Sequence, residues 1–120
     1  MHKYKELKVW EKAVELSTVT YALCASLPSE EKFCLKSQMQ RSSISIASNI
    51  AEGAGRNSNK EFAYFLSIAS GSCYELETQL IIANKLDFIN KVDIDKVLAL
   101  VDEISKMIFA LSKTLNKRKT

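Results

Sequence analysis

Proline occurs once in this chain and glycine three times. With so little punctuation, a few long helices are expected in place of many short strands and turns. Histidine also occurs once, at His2, so imidazole acid-base chemistry and Ser-His-Asp triads have no anchor. HExxH, CxxC and calcium-loop spacings are all missing. Gly53-Ala54-Gly55 has neither the preceding strand nor the following Lys-Ser/Thr of a phosphate loop. Both glycines read as a helix stop, offering left-handed backbone at its end. The cysteines, Cys24, Cys34 and Cys73, are odd in number and far apart within helical patterns. They suit reduced, buried thiols better than a disulfide framework or a zinc site. No uninterrupted apolar run approaches the roughly 18 residues of a membrane helix. The opening MHKYKELKVW has no apolar signal-peptide core. The expectation is a cytoplasmic protein with no metal, no cofactor and no membrane span, and not an enzyme.

What the chain does contain is helical periodicity. Hydrophobic residues make up 47% of the 120 residues, enough for one core and too few for two. Leu7, Trp10, Val14, Ser17, Tyr21 and Cys24 recur at threes and fours, with Ala13, Leu16, Leu23 and Leu27 widening the face, and Pro28 ends that run. Leu35, Met39, Ser43, Ile46 and Ile50 line one arc of a second helix. Phe62, Phe65, Leu66, Ala69, Cys73, Leu76 and Leu80 line a third. Val97, Val101, Ile104, Ile108, Leu111 and Leu115 give the fourth. Ser29 can cap the second helix. Ser58 and Glu61 form a capping box for the third, and Asn90 or Asp93 can cap the fourth. The spacing predicts helices over about 5–26, 32–53, 59–85 and 93–116. Short connections make them an all-α, antiparallel up-down-up-down four-helix bundle, one domain over residues 1–120.

Two surfaces exceed what such a bundle needs. Ile44, Ala47 and Ala51 form a small-residue ridge beside the second helix's core arc, and Ala63, Tyr74 and Ile81 sit off the third helix's main face. Surplus apolar surface of this kind suits a homo-oligomer. A polar row, Arg41, Ser45, Asn49, Glu52 and Arg56, faces Glu61, Ser72, Glu75 and Gln79 on the antiparallel neighbour. Its structural reading pairs Arg56 with Glu52 or Glu61 and Arg41 with Glu75, fixing register. Its functional reading turns Arg41 or Arg56 toward phosphate.

Charge is mildly positive at +3 and unevenly placed. Lys3, Lys5, Lys8 and Lys12 crowd the start, and Lys113, Lys117, Arg118 and Lys119 close the chain. In an antiparallel bundle these two ends coincide with the turn carrying Arg56 and Lys60. Three basic clusters would then share one pole, which either attracts polyanions or is merely solvated.

The run SIASNIAEGAGRNSNKEFAYFLSIASGSCYELETQL resembles the four-helix bundle proteins encoded in intervening sequences of bacterial large-subunit ribosomal RNA genes. ELKVWEKAVEL, PSEEKF and QMQRSSISIASNIAEGAGR fit the same pattern, so the resemblance spans essentially the whole chain. It extends to the accessory protein of diversity-generating retroelements, a pentameric barrel that binds reverse transcriptase and nucleic acid. The resemblance implies a left-handed bundle, a pentamer, association with RNA or DNA, and no catalysis. Arg41, Asn49, Glu52, Gly53, Arg56, Glu61 and Phe62 match the shared core, with roles that read as structural. Ala47 stands where the family often has proline, which suggests a straighter second helix and an altered subunit contact. Together these readings predict a non-enzymatic, oligomeric nucleic-acid-binding accessory protein. The competing reading is a protein-interaction scaffold with no nucleic-acid role.

Overall fold

The computed structural model describes residues 1–31 and 33–117. Among them the chain forms α1 (Lys8–Cys24), α2 (Leu35–Ala54), α3 (Asn59–Lys85) and α4 (Lys91–Lys117), with 3-10 turns at Tyr4–Glu6 and Ser29–Glu31 and no strand. A helix as long as α3 or α4 spans roughly 40 Å, and the connections on either side of α3 are far too short to run back along it. α3 and α4 must therefore each return beside their predecessor. Accordingly α1 and α3 each pack on both α2 and α4, and neither diagonal pair meets. The molecule is an all-α, antiparallel four-helix bundle, as the periodicity predicts, with principal extents of 47 × 23 × 20 Å.

The core fills the square. Leu16, Met39, Ile46, Ile50, Phe62, Leu66, Leu76, Leu80 and Ile104 are fully buried along its length. On α2, α3 and α4 the buried faces follow the predicted arcs. On α1 the face is centred on the Ala13–Leu16 side of the expected arc. Val9, Ala13, Leu16, Thr20 and Cys24 are buried, whereas Val14 and Tyr21 are exposed. Both series have helical spacing, and the one that won contains a threonine, which a hydrophobicity count passes over.

Helix ends differ from expectation where capping chemistry differs. The first segment breaks at Leu7, whose extended backbone separates the Tyr4–Glu6 turn from α1. Ser29 does not cap α2. Its Oγ donates to Glu30 Oε1 at 3.0 Å within a turn closed by the Glu31 N–H on the Pro28 carbonyl, and α2 begins only at Leu35. There the Glu31 carboxylate accepts the Leu35 N–H at 3.4 Å, an acid satisfying a helix-start donor. Phe33, counted above with α2, is 86% exposed. The α3 cap is as read: Ser58 is extended and its Oγ accepts the Glu61 N–H at 3.1 Å. Asn90 caps α4, accepting the Asp93 N–H at 2.9 Å.

The glycine expectation needs correction. No glycine has positive φ; Gly55 is right-handed at φ −81°, and Gly53 lies inside α2. Gly53 instead permits close approach, since a Cβ there would sit 2.7 Å from Phe65 Cβ. The left-handed position is Asp87, φ 61°, after α3. Phe88 N–H bonds to the Ala83 carbonyl and Asp87 N–H to that of Asn84, a Schellman closure built on aspartate.

Candidate functional site

At one pole of the bundle three chain segments meet. The His2 N–H donates to the Ala54 carbonyl at 2.7 Å, which lays Met1–Glu6 against the α2–α3 turn. The His2 ring packs on Phe62 at 5.0 Å between centroids, and Tyr4 meets Trp10 edge-on at 5.1 Å. α4 arrives at the same pole. Lys12 pairs with Glu103 at 3.6 Å, and from that level Lys113 and Lys117 lie about 15 and 21 Å further along α4. Lys3, Lys5 and Lys8, Lys60 on α3, and Lys113 and Lys117 are all exposed. None of them joins an ion pair among the described residues. Arg118 and Lys119, expected in the same cluster, lie outside the described residues.

Arg56 behaves differently. Its guanidinium is 3.3 Å from Glu52 and sits over the Phe65 ring at 4.7 Å, with Nε buried and unpartnered. Much of its binding capacity is thus spent inside the fold. Acids near the pole are Glu6, Glu11, Glu52 and Glu61, of which Glu52 holds Arg56 and Glu61 serves the α3 cap. The opposite pole carries Glu30, Glu31, Asp87, Asp93 and Asp95 together with Lys36, Lys85, Lys91 and Lys96, so its charges nearly balance. The modest net positive charge is therefore concentrated at the first pole.

The polar row between α2 and α3 is bonded within itself. Ser45 Oγ and Ser72 Oγ are 2.8 Å apart, and Asn49 Nδ2 donates to the Ser45 carbonyl and hydroxyl at 2.9 and 3.0 Å. The expected Arg41–Glu75 pair is not formed: both residues are exposed and neither joins an ion pair among the described residues. Serine-to-serine contact brings the two helices close without a charged clamp. Arg41 instead lines an open groove between α1 and α2 with Tyr21, Ile44 and Gln40.

The candidate interface residues divide. Ile44, Tyr74 and Ile81 are exposed, Ala51 and Ala63 are half-buried, and Ala47 packs against the core edge. A second groove, about 350 Å³ between α3 and α4, is lined by Tyr74, Phe109, Ser67, Gly71 and Ser105. Phe109 is 66% exposed and was not singled out in the sequence. It follows Ile108 of the α4 stripe, about 100° further round the helix, and the packing leaves it outside the core.

Two thiols are buried and one is not. Burial pushes Cys24 up to about 11, with Lys36 opposing, and pushes Cys73 up as well, partly offset by Ser105. Cys34 is exposed, contrary to the expectation of three buried thiols. Among the described residues no group of His, Cys, Asp and Glu could hold a metal, and no helix is long and apolar enough to cross a membrane.

A family model described as 23S rRNA-intervening sequence protein matches residues 5–110. The chain belongs to that family. This intervening-sequence protein is also similar to a crystal structure from Bacteroides thetaiotaomicron, described as a protein of unknown function from the S23 ribosomal protein family. The two share 27% identity with a TM-score of 0.82, over 88% of this chain and 98% of that one. No curated protein matches the sequence.

Proposed function

We propose that this intervening-sequence protein is a non-enzymatic, homo-oligomeric accessory protein that binds nucleic acid, RNA foremost, through its basic pole, in the cytoplasm. The observation that carries the reading is the convergence of Lys3, Lys5, Lys8, Lys60, Lys113 and Lys117, all exposed and without ion pairs, on one end of the bundle. Exposed lysines gathered at one pole and held in no ion pair can neutralise phosphates and release counterions on binding. Ile44 on one side of the bundle, and Tyr74 and Ile81 on another, supply apolar surface for self-association. A ring, a pentamer in this proposal, would repeat the pole and concentrate its potential. Kinship to the retroelement accessory protein, with a reverse transcriptase as protein partner, is the finest part of this proposal.

Fluorescence anisotropy with a structured RNA and a DNA duplex, at low and near-physiological salt, tests the central claim. Affinity should fall steeply with salt, and replacing Lys113 and Lys117 by Gln should weaken binding and flatten that dependence. Absence of binding at low salt would sink the reading. The groove lined by Tyr74 and Phe109 favours a second reading, a scaffold that recruits a protein partner. In that case the lysine changes would leave partner capture untouched.

A further inference from the structure

The sequence alternates aromatic and basic residues at its start, His2-Lys3-Tyr4-Lys5, and the fold turns this alternation into a site. The Met1–Glu6 segment does not trail into solvent. It is tied to Ala54 and turned by a 3-10 bend at Tyr4–Glu6, and its side chains surround a cleft of about 480 Å³. Met1, His2, Lys3, Tyr4, Lys5 and Glu6 line that cleft together with Gly55 of the α2–α3 turn. His2 and Tyr4 are half-buried: each ring is held by one neighbour, Phe62 or Trp10, and keeps part of its surface in the cleft. Rings held in this way lose little freedom when a flat partner stacks on them. Lys3 and Lys5 flank the rings, with Lys8 and Lys60 nearby at the pole.

We infer that this cleft receives an unpaired base of an RNA strand whose phosphates lie along the surrounding lysines. The inference rests on the reading of the basic pole as a nucleic-acid surface and adds which form of nucleic acid that surface prefers. The argument is one of matched chemistry. A duplex presents phosphates to lysines but keeps its base faces stacked within the helix, leaving the cleft empty. A single strand can supply both, since every base has a face that stacks on an aromatic ring. Glu6, the acid lining the cleft, can accept a hydrogen bond from an exocyclic base amino group. Gly55 lines the cleft without contributing a side chain.

Three probes of equal length separate the terms: a short RNA strand, the same strand in a duplex, and the same backbone carrying abasic residues in place of bases. At low salt the plain strand should bind about tenfold more tightly than its abasic counterpart, the scale of one stacked base. The duplex should behave like the abasic strand. A 2-aminopurine placed in the strand should change its fluorescence on binding. His2→Leu with Tyr4→Leu keeps apolar contact with Phe62 and Trp10 but removes the stacking faces. This variant should melt as the parent does, bind the abasic strand as before and lose the preference for bases. Equal affinity for all three probes overturns the inference while leaving the basic pole intact. Failure to bind any of them overturns the basic pole as well.

Discussion

At the scale of single residues, Gly53 shows how two opposed effects are weighed. Replacing a helical glycine by alanine ordinarily stabilises by about 1 kcal/mol. Here the added Cβ would lie 2.7 Å from Phe65 Cβ, an atom fixed to the α3 backbone that cannot swing aside. Overpacking of this kind costs about 1–3 kcal/mol and outweighs the propensity gain. Gly53→Ala should therefore lower the melting temperature by several degrees, and an unchanged or higher value would mean that the helices separate cheaply. The thiols give a second residue-scale test. A thiol reagent should label Cys34 in the native protein and reach Cys24 and Cys73 only on unfolding. Cys24 is raised from 9.0 to about 11 in the folded chain, so between those values the unfolded state gives up its proton while the native state keeps it. Stability should hold below pH 9 and fall as pH rises toward 11. Cys24→Ala should flatten that alkaline slope in urea titrations at stepped pH.

At the scale of elements, what was legible tracks how local the cause is. The α3 and α4 starts could be read because each cap lies within three residues of the amide it satisfies, Ser58 for Glu61 and Asn90 for Asp93. The α2 start could not, because it depends on how Glu31 reaches Leu35 after a turn whose path the bundle imposes. The centring of the α1 face was hidden for a similar reason. Only its neighbours decide that Thr20 goes inside and Tyr21 stays out. The left-handed residue was sought at glycines and found at Asp87, because the Schellman closure after α3 tolerates aspartate at some cost. Two substitutions follow at this level, read as shifts in chemical denaturation midpoint. Ser58→Ala should destabilise by about 1 kcal/mol through loss of the α3 cap. Asp87→Gly should stabilise by about 1 kcal/mol, because glycine takes that backbone conformation without steric penalty. A destabilised Asp87→Gly would indicate that the aspartate side chain holds the α3–α4 connection.

For the whole molecule, the coincidence of basic clusters at one pole could be read from the sequence because antiparallel topology alone brings chain start, α4 end and α2–α3 turn together. The Arg56–Glu52 pair was also among the pairings the sequence offered, and only the packing of the guanidinium over Phe65 needed the geometry. The same holds for the apolar surfaces. Periodicity found Ile44, Tyr74 and Ile81, but only packing shows Ala47 turned toward the core edge and Phe109 standing clear. These two surfaces are spatially separate, and that separation is what a test can use. Self-association through Tyr74 and Phe109 should be lost in a Tyr74→Ser, Phe109→Ser variant, seen as a drop to monomer mass in light scattering. Each protomer would keep its lysines, so nucleic-acid binding should weaken through loss of multivalency and not through loss of the site. Its salt dependence per protomer should then match that of the parent. If the variant becomes monomeric yet binds as tightly as before, the pole works alone and the assembly serves some other purpose. If its mass does not change, the α3–α4 groove is not the contact between copies, and the Tyr21–Ile44 face of α1 and α2 becomes the surface to alter.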